Sequence, residues 1–358
     1  MLCRSFLVKI SLFSAFLLQF CAFGGIIAIE KVPRGTGGKG YIMKPWLVVG
    51  ICLLALVFVC LAVAFVCFML VFYSGRRRLP EGEDYEIPSG DIYEVYREDM
   101  RKWTMWIRQL PQERIEIKSE DGLTLRGTYY EYAPDAPIEI LLHGYRGYAE
   151  RDLNGGVERC FALGRSVILV DQRGSGHSEG HVITFGIREC RDCVAWVKEV
   201  NRRFGEDRVV LISGVSMGAA TVMMAAGESD LPQNVACCLA DCGYSSAREI
   251  LHKVLRDLKL PVWFFYPFIK LGARIFGGFS LESNSPMEAV KRSKIPMFFV
   301  HGDEDDFVPC DMSRQLYEAC ASSKKHFHVS KGAGHGLAYP VEREAYVSVL
   351  ADFSSSFL

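Results

Sequence analysis

Two serines lie in the pattern G-x-S-x-G, which is typical of a nucleophile at a tight strand-to-helix turn. Ser216 lies in GVSMG at 214–218 and Ser178 in GHSEG at 176–180. Small flanking residues are needed because the strained turn leaves no room for side chains. Ser216 follows the strand-like RVVLIS and precedes the helix-like MGAATVMMAA, whereas Ser178 lies in a glycine-rich loop without a helix behind it. The sequence therefore predicts Ser216 as the nucleophile.

A serine hydroxyl needs a general base, since it is a weak nucleophile at neutral pH without one. Among the eight histidines, His335 lies in KGAGHG at 331–336, a glycine-rich loop after the last predicted strand. A histidine among glycines has no packing role that would explain its presence. By contrast, His143 and His301 each end a predicted strand in front of a glycine. We therefore predict that His335 is the base.

The imidazole in turn needs an anion that fixes its tautomer and stabilises its positive charge. Four acidic residues, at 303–306, directly follow the strand-like IPMFFVHG. They cannot all be catalytic, and most of them belong to a solvated turn. Asp241, at the end of NVACCLAD, is the alternative, because another strand end can also present an acid.

An oxyanion hole is also required, because negative charge develops on the carbonyl oxygen during acyl transfer. The backbone N–H of Met217, which follows the nucleophile, is one predicted donor. The second donor should come from the loop LHGYRG at 142–147, where glycines let the backbone approach a substrate. We predict the N–H of Tyr145 for this role.

Strand-like and helix-like segments alternate from about residue 112 onward, which indicates an α/β fold with a mainly parallel sheet covered on both faces. Two strands joined at EDG, residues 120–122, form a predicted hairpin at the start. The nucleophile, base and acid all follow predicted strands.

An uncharged apolar run extends from Trp46 to Tyr73. About 20 such residues suffice to cross a bilayer, and aromatic residues stand at both ends, as in interfacial anchors. The run predicts a transmembrane helix over 46–73. A weaker apolar stretch at 10–29 leaves three interpretations of residues 1–45: a signal peptide, a first spanning helix, or a mis-assigned start before Met43.

Arg76, Arg77 and Arg78 follow the span, and positive residues stay on the cytoplasmic side of a membrane. A start at Met43, a cleaved signal peptide, or two spanning helices with the N-terminus inside would each place the following domain in the cytoplasm. A fourth arrangement, with the first segment left uninserted on the cytoplasmic side, would place that domain outside. We expect a single-pass or two-pass protein of the cell membrane with a cytoplasmic domain.

Composition excludes several other classes of function. A formal net charge of −1 implies no basic face, so nucleic acid is not an expected partner. The 358-residue chain is too long for its thirteen cysteines to form the disulfide framework of a small secreted domain. Cys190 and Cys193 have C-x-x-C spacing without a second pair at zinc-site distance. We read these thiols as small buried hydrophobes and predict no metal and no cofactor.

Five motifs resemble those of the α/β-hydrolase superfamily, and within it the serine aminopeptidase and monoacylglycerol lipase-like group. They are HGYRG at 143–147, DQRGSGHSEG at 171–180, GVSMG at 214–218, HGDEDDFVP at 301–309 and GAGHG at 332–336. The resemblance covers roughly residues 112–355. It implies the α/β-hydrolase fold, with a helical lid inserted between strands.

The resemblance also implies which acid completes the site. The family pattern HG-x-x-D-x-x-VP places the acid at Asp305. The resemblance also gives the DQRG loop a structural role, so that Asp171 is not expected to be catalytic. The implied triad is Ser216, Asp305 and His335, cleaving an ester, thioester or peptide bond through an acyl-enzyme. The group is too diverse to imply one substrate.

The chain is thus expected to have four parts: an N-terminal segment at 1–45, the span at 46–73, a linker at 74–110 and the hydrolase domain at 111–358. The aromatic-rich lid, at about 243–294, has three possible roles: it covers an acyl pocket, it simply packs on the sheet, or it contacts the bilayer. The expected partners are a small-molecule or acyl substrate and the membrane. The alternative is a membrane-tethered binding protein that lost catalysis. Retention of both the serine and the histidine favours the enzyme.

Overall fold

The computed structural model describes residues 44–75, 79–355 and 357. The predictions made for residues 1–43 lie outside the described residues. The first helix, α1 (Pro45–Val71), covers nearly all of the predicted span. Among the described residues it is the one helix that is long and apolar enough to cross a membrane.

Eight strands form one sheet in the order β1-β2-β4-β3-β5-β6-β7-β8. The strands are β1 (Glu113–Lys118), β2 (Thr124–Tyr130), β3 (Ile138–Leu142), β4 (Ser166–Asp171), β5 (Val210–Val215), β6 (Val235–Asp241), β7 (Met297–Gly302) and β8 (Lys325–Ser330). The first two strands form the predicted antiparallel hairpin, and β2 also pairs antiparallel with β4. The other neighbouring strands are parallel, so their carboxyl ends lie at one edge of the sheet.

Helices cover both faces of the sheet. After α1 they are α2 (Asp91–Glu94), α3 (Arg97–Gln109), α4 (Ala149–Ala162), α5 (Glu189–Phe204), α6 (Met217–Ala225), α7 (Ala247–Asp257), α8 (Val262–Ile275), α9 (Pro286–Val290), α10 (Cys310–Ala319), α11 (Ala338–Val341) and α12 (Arg343–Ser354). Consecutive strand residues point to opposite faces. Ile140 packs in the core with α5 and α6, whereas its neighbour Leu141 packs in the core with α3 and α4.

The segment expected to be a linker, 74–110, contains two helices, and α3 is part of the folded domain. Met100, Trp103, Thr104 and Ile107 are buried along one side of α3. Their three- and four-residue spacing is that of an amphipathic helix. A Cβ added at Gly155 of α4 would lie 2.9 Å from the Trp103 ring, so α3 packs closely on α4. The spacing was present in the sequence, but charged residues between these positions hid it.

Two parts of the chain pack together beside the sheet. The second half of α1 joins the core of the α5 and α6 face through Val63, Phe68 and Val71. The lid, between β6 and β7, contains α7, α8 and α9. In α8, Gly272 approaches α1 so closely that an added Cβ would lie 2.5 Å from the carbonyl oxygen of Ala64.

Candidate active site

Ser216 occupies the turn between β5 and α6 with φ of 59° and ψ of −115°, a backbone conformation that non-glycine residues rarely adopt. Glycines make this turn possible. A Cβ at Gly214 would lie 2.2 Å from the carbonyl carbon of Gly218, and one at Gly218 would lie 2.0 Å from the carbonyl oxygen of Leu142. The strained turn holds the serine at the carboxyl edge of the sheet, where it is only 7% exposed.

The structure brings Ser216, His335 and Asp305 into one hydrogen-bonded series. The Ser216 hydroxyl donates to Nε2 of His335 at 2.9 Å. Nδ1 of the same ring donates to Oδ2 of Asp305 at 2.7 Å. The three residues follow β5, β7 and β8, whose carboxyl ends lie at the same edge. This arrangement can pass the serine proton to a base that is oriented by an anion.

Asp305 is surrounded by donors that favour its ionised form. Its Oδ1 accepts from the N–H groups of Phe307 and Val308 at 2.9 and 2.8 Å, and Oδ2 lies 3.1 Å from Nε2 of His301. Burial by itself raises the pKa of the Asp305 carboxyl, but the hydrogen bonds from His301, His335 and the backbone hold that pKa well below its usual range. Asp305 therefore stays an anion beside the imidazole.

Asp241, the alternative acid, lies at the end of β6 without a hydrogen bond to His335. Its Oδ2 accepts from the Tyr346 hydroxyl at 3.4 Å, and its Oδ1 is buried without a partner. Burial raises the pKa of Asp241 to about 6. It lines a cavity of about 80 Å³ that reaches Val215 and Gly336, the neighbours of the nucleophile and the base.

The second G-x-S-x-G serine has structural partners. Ser178 is buried, its hydroxyl donates to the carbonyl of Asp171, and its oxygen accepts from the N–H of Arg126. The Asp171 carboxylate accepts from the N–H groups of Ala149 and His177 at 2.9 Å each. These bonds fix the loop after β4 and lie apart from the Ser216 series.

Loop 143–147, between β3 and α4, lies beside the nucleophile. A Cβ added at Gly144 would be 3.6 Å from Cβ of Ser216. Met217 begins α6, where the first N–H groups of a helix have no intrahelical acceptor. The backbone of this loop and the start of α6 thus lie next to the serine, as a two-donor oxyanion hole would require.

Sequence reasoning missed what the side chains of this loop contact. The Tyr145 hydroxyl donates to the carbonyl of Val71 at 2.6 Å, and the Arg146 guanidinium donates to the carbonyls of Leu70 and Tyr73. All three acceptors lie at the end of α1. No sequence pattern predicts these contacts, since the partners are more than 70 residues apart and the acceptors are backbone atoms.

One group among the described residues has the spacing of a metal site. The Cys242 thiol, the Asp305 carboxylate and the His335 ring have ligand atoms within 4.8 Å of one another. Burial raises the pKa of the Cys242 thiol well above its usual range, so it is a poor source of the thiolate that binds metal. The other two members already bond each other. This donor set fits the hydrogen-bonded series better than it fits an ion.

Comparisons with known proteins agree with this fold. The family model for the alpha/beta hydrolase fold matches residues 140–285, and the model for serine aminopeptidase S33 matches residues 270–342. The chain is similar to YqkD of Bacillus subtilis, with 26% identity over 68% of this chain and 80% of the relative. It is also similar to protein bem46 of Schizosaccharomyces pombe, with 23% identity over 67% of this chain and 76% of the relative.

Among solved structures, the esterase Pf2001 of Pyrococcus furiosus shares the fold with a TM-score of 0.58. The two chains are 23% identical, and the matched region covers 79% of this chain and 99% of the esterase chain. The sheet, its helical layers and the matched family models lead to one conclusion: this chain belongs to the α/β-hydrolase superfamily.

Proposed function

We propose that this chain is a membrane-anchored serine hydrolase that cleaves an ester, thioester or peptide bond through an acyl-enzyme. The observation that carries the proposal is the hydrogen-bonded series from Ser216 through His335 to Asp305. Each step falls within normal hydrogen-bond distance, and the serine stands on the strained turn that places a nucleophile at the carboxyl edge of a sheet. The esterase fold among similar structures supports an ester as the first substrate class to test.

The proposed reaction begins when the Ser216 oxygen attacks the acyl carbonyl carbon and its proton moves to Nε2 of His335. Asp305 stabilises the resulting imidazolium. The N–H groups of Tyr145 and Met217 stabilise the oxyanion that forms as the carbonyl double bond opens. His335 then gives its proton to the leaving alcohol, thiol or amine, and the acyl group stays on the serine.

Water completes the proposed cycle. His335 takes a proton from a water molecule, whose oxygen attacks the acyl-enzyme, and a second oxyanion forms at the same two N–H groups. The imidazolium returns the proton to the Ser216 oxygen as the carboxylic acid leaves. No cofactor enters either half-reaction. The apolar helix α1, with mostly exposed side chains in its first half, supports attachment to a membrane.

A fluorophosphonate probe on membranes that contain the full chain tests the proposal. We expect labelling of the wild-type protein and none of Ser216→Ala. Ser178→Ala and the exposed-serine control Ser323→Ala should both label, provided that they are folded. Labelling that survives in Ser216→Ala but is lost in Ser178→Ala would contradict the choice of nucleophile.

Absence of labelling in folded wild-type protein would instead favour a binding protein without catalysis. If the probe labels, p-nitrophenyl esters of increasing acyl length, assayed beside aminoacyl anilides, should show which bond is cleaved. We expect turnover of at least one ester that disappears in Ser216→Ala.

A further inference from the structure

The end of α1 carries backbone carbonyls that the helix itself cannot satisfy, because the last four C=O groups of a helix have no intrahelical donor. Two consecutive residues of loop 143–147 supply donors. Nη2 of Arg146 donates to the carbonyl of Leu70 at 2.8 Å and to that of Tyr73 at 3.0 Å. The Tyr145 hydroxyl donates to the carbonyl of Val71 at 2.6 Å. The loop therefore caps the helix.

Charge and burial strengthen this cap. The C-terminal end of a helix carries a partial negative charge, which the Arg146 guanidinium complements. Val71, the acceptor of the Tyr145 hydroxyl, is buried, so its surroundings exclude water that could replace a lost donor. Leu70 and Tyr73, the acceptors of Arg146, are partly buried. Burial also raises the pKa of Tyr145 to about 12, so its hydroxyl keeps its proton and donates.

The same two residues shape the predicted oxyanion hole. Tyr145 supplies the proposed N–H, and Arg146 follows it with φ of 55°, in the left-handed region that is unfavourable for a residue with a side chain. Such a conformation persists only where the surroundings hold it in place. The carbonyls of Leu70, in the last turn of α1, and of Tyr73, just after it, hold the Arg146 side chain and so restrain the backbone beside the Tyr145 N–H.

Ring packing joins the same parts of the molecule. The Tyr145 ring lies 5.2 Å from the Phe185 ring, and Phe185 meets Phe72 edge-on at 5.8 Å. Phe72 directly follows α1, and its carbonyl accepts from the N–H of Ile183 at 2.9 Å. The end of α1 is therefore bound to the loop by hydrogen bonds and by a continuous aromatic contact.

We propose that the C-terminal end of α1 supports the oxyanion hole, with Arg146 as the positioning residue that links the two. This inference rests on the proposed serine hydrolase function. The membrane helix is then a working part of the active site as well as an anchor. Displacing its end should misplace the Tyr145 N–H and weaken stabilisation of the transition state.

Two variants of the full chain test the link while keeping every backbone N–H: Arg146→Met and Tyr145→Phe. We expect kcat to fall about tenfold in Arg146→Met, less than the hundredfold or more for complete loss of an oxyanion donor, and severalfold in Tyr145→Phe. KM should stay within about twofold, because an oxyanion donor acts in the transition state rather than on the bound substrate. Arg146→Lys should recover part of the loss, since one ammonium group can still reach one carbonyl.

Arg208→Met is the matched control. Arg208 also donates to a backbone carbonyl, that of Ala136 at 3.1 Å, but it precedes β5 at the opposite edge of the sheet. The kcat and KM of Arg208→Met should match those of the wild type. A folded Arg146→Met and a folded Tyr145→Phe that both keep wild-type kcat would overturn the proposal, as would a loss confined to KM. If Arg146→Met does not fold, Tyr145→Phe decides.

Amide hydrogen exchange separates this proposal from the proposed function. In detergent-solubilised full chain, Arg146→Met should speed exchange of the amides at 143–148, whereas Arg208→Met should not. If the wild-type chain is inactive but shows this exchange response, the proposed hydrolase function is wrong and the contact between α1 and the loop still stands. Unchanged exchange together with unchanged kcat in an active enzyme would reject the cap and keep the hydrolase.

Discussion

Two buried carboxylates at neighbouring strand ends have opposite electrostatic surroundings. Asp305 receives backbone N–H groups and two imidazoles, whereas Asp241 has one long hydrogen bond, from Tyr346. Donors favour the charged form of a carboxyl, and burial without donors favours the neutral form. The pKa values therefore shift in opposite directions, down for Asp305 and up for Asp241. The site needs an acid that is already ionised, which favours Asp305.

Replacing the ionised acid should stop turnover. We expect Asp305→Asn to lower kcat on the order of 10⁴-fold, by analogy with the same change in a serine protease, because the amide cannot stabilise the His335 imidazolium. Asp241→Asn should keep kcat within a few-fold. Steady-state kinetics on one ester, with both variants verified as folded, measure this. Near-normal turnover in Asp305→Asn would move the acid to Asp241.

The raised pKa of Asp241 has a consequence for stability. An acid whose pKa is higher in the folded protein than in the unfolded chain costs stability once the pH exceeds the unfolded value. The pKa moves from 3.8 to about 6, so the cost grows between about pH 4 and pH 6 and is complete above that. We expect Asp241→Asn to gain stability over the wild type across this range, by up to about 3 kcal/mol. Chemical unfolding at pH 4 and pH 7 checks the trend, and a difference that shrinks with rising pH would contradict it.

Single residues also show where sequence reasoning reached its limit. Ser216, His335 and the flanking glycines could be chosen because their chemistry and spacing are unusual. Asp305 needed the family resemblance, since four acids in a row look alike. The contacts of Arg146 could not be predicted at all, because a guanidinium on a loop gives no indication that its acceptors are carbonyls at the end of a distant helix.

At the scale of elements, the sequence predicted the alternation of strands and helices and the opening hairpin, because these depend on local periodicity. The structure confirms the resulting fold. The packing of α8 on α1 was not predictable in this way. It depends on Gly272, whose missing side chain matters only once the partner helix is known.

Enlarging Gly272 should separate α1 from the lid. An added Cβ would lie 2.5 Å from the carbonyl oxygen of Ala64 and 3.1 Å from Cβ of Phe68, and backbone atoms cannot move aside cheaply. We expect Gly272→Ala to destabilise the protein by roughly 1–3 kcal/mol, the range for overpacking. Thermal unfolding in detergent micelles measures it.

Gly50→Ala is the matched control, because it lies in the first half of α1 with no atom within 4 Å of the added Cβ. It should leave the unfolding temperature unchanged or raise it slightly, because alanine has a higher helix propensity than glycine, by up to about 1 kcal/mol. An unfolding temperature for Gly272→Ala as high as that for Gly50→Ala would show that α1 and α8 can separate without cost.

At the scale of the whole molecule, α1 has two unlike halves. Side chains at 45–58 are nearly all exposed, whereas those from Val59 onward increasingly pack against the domain. The exposed half is about 21 Å long at 1.5 Å per residue, shorter than the hydrocarbon core of about 30 Å. A membrane crossed by α1 would therefore also reach the α8 contact. Trp263 of α8 is 79% exposed, which favours the interpretation of the lid as a surface in contact with the bilayer.

The side of the membrane that holds the domain stays a proposal, and charge and thiols both favour the cytoplasm. Lys44 precedes α1, whereas Arg76, Arg77 and Arg78 follow it, and positive residues stay inside. The eight cysteines beyond residue 80 are all free, as expected in a reducing compartment. Seven of the eight are buried and Cys310 is partly exposed, so native thiols would report the side of the domain poorly.

Two added cysteines, in a background with Cys3, Cys21 and Cys310 changed to serine, give a sharper test. Asp207→Cys puts a thiol on the exposed loop before β5, and Lys44→Cys puts one at the opposite end of α1. With the domain in the cytoplasm, a membrane-impermeant maleimide on intact cells should label Lys44→Cys, whereas Asp207→Cys should label only after permeabilisation. The two thiols lie on opposite sides of the same span, so each controls for the other's reactivity. Strong labelling of Asp207→Cys on intact cells, with Lys44→Cys protected, would place the domain outside.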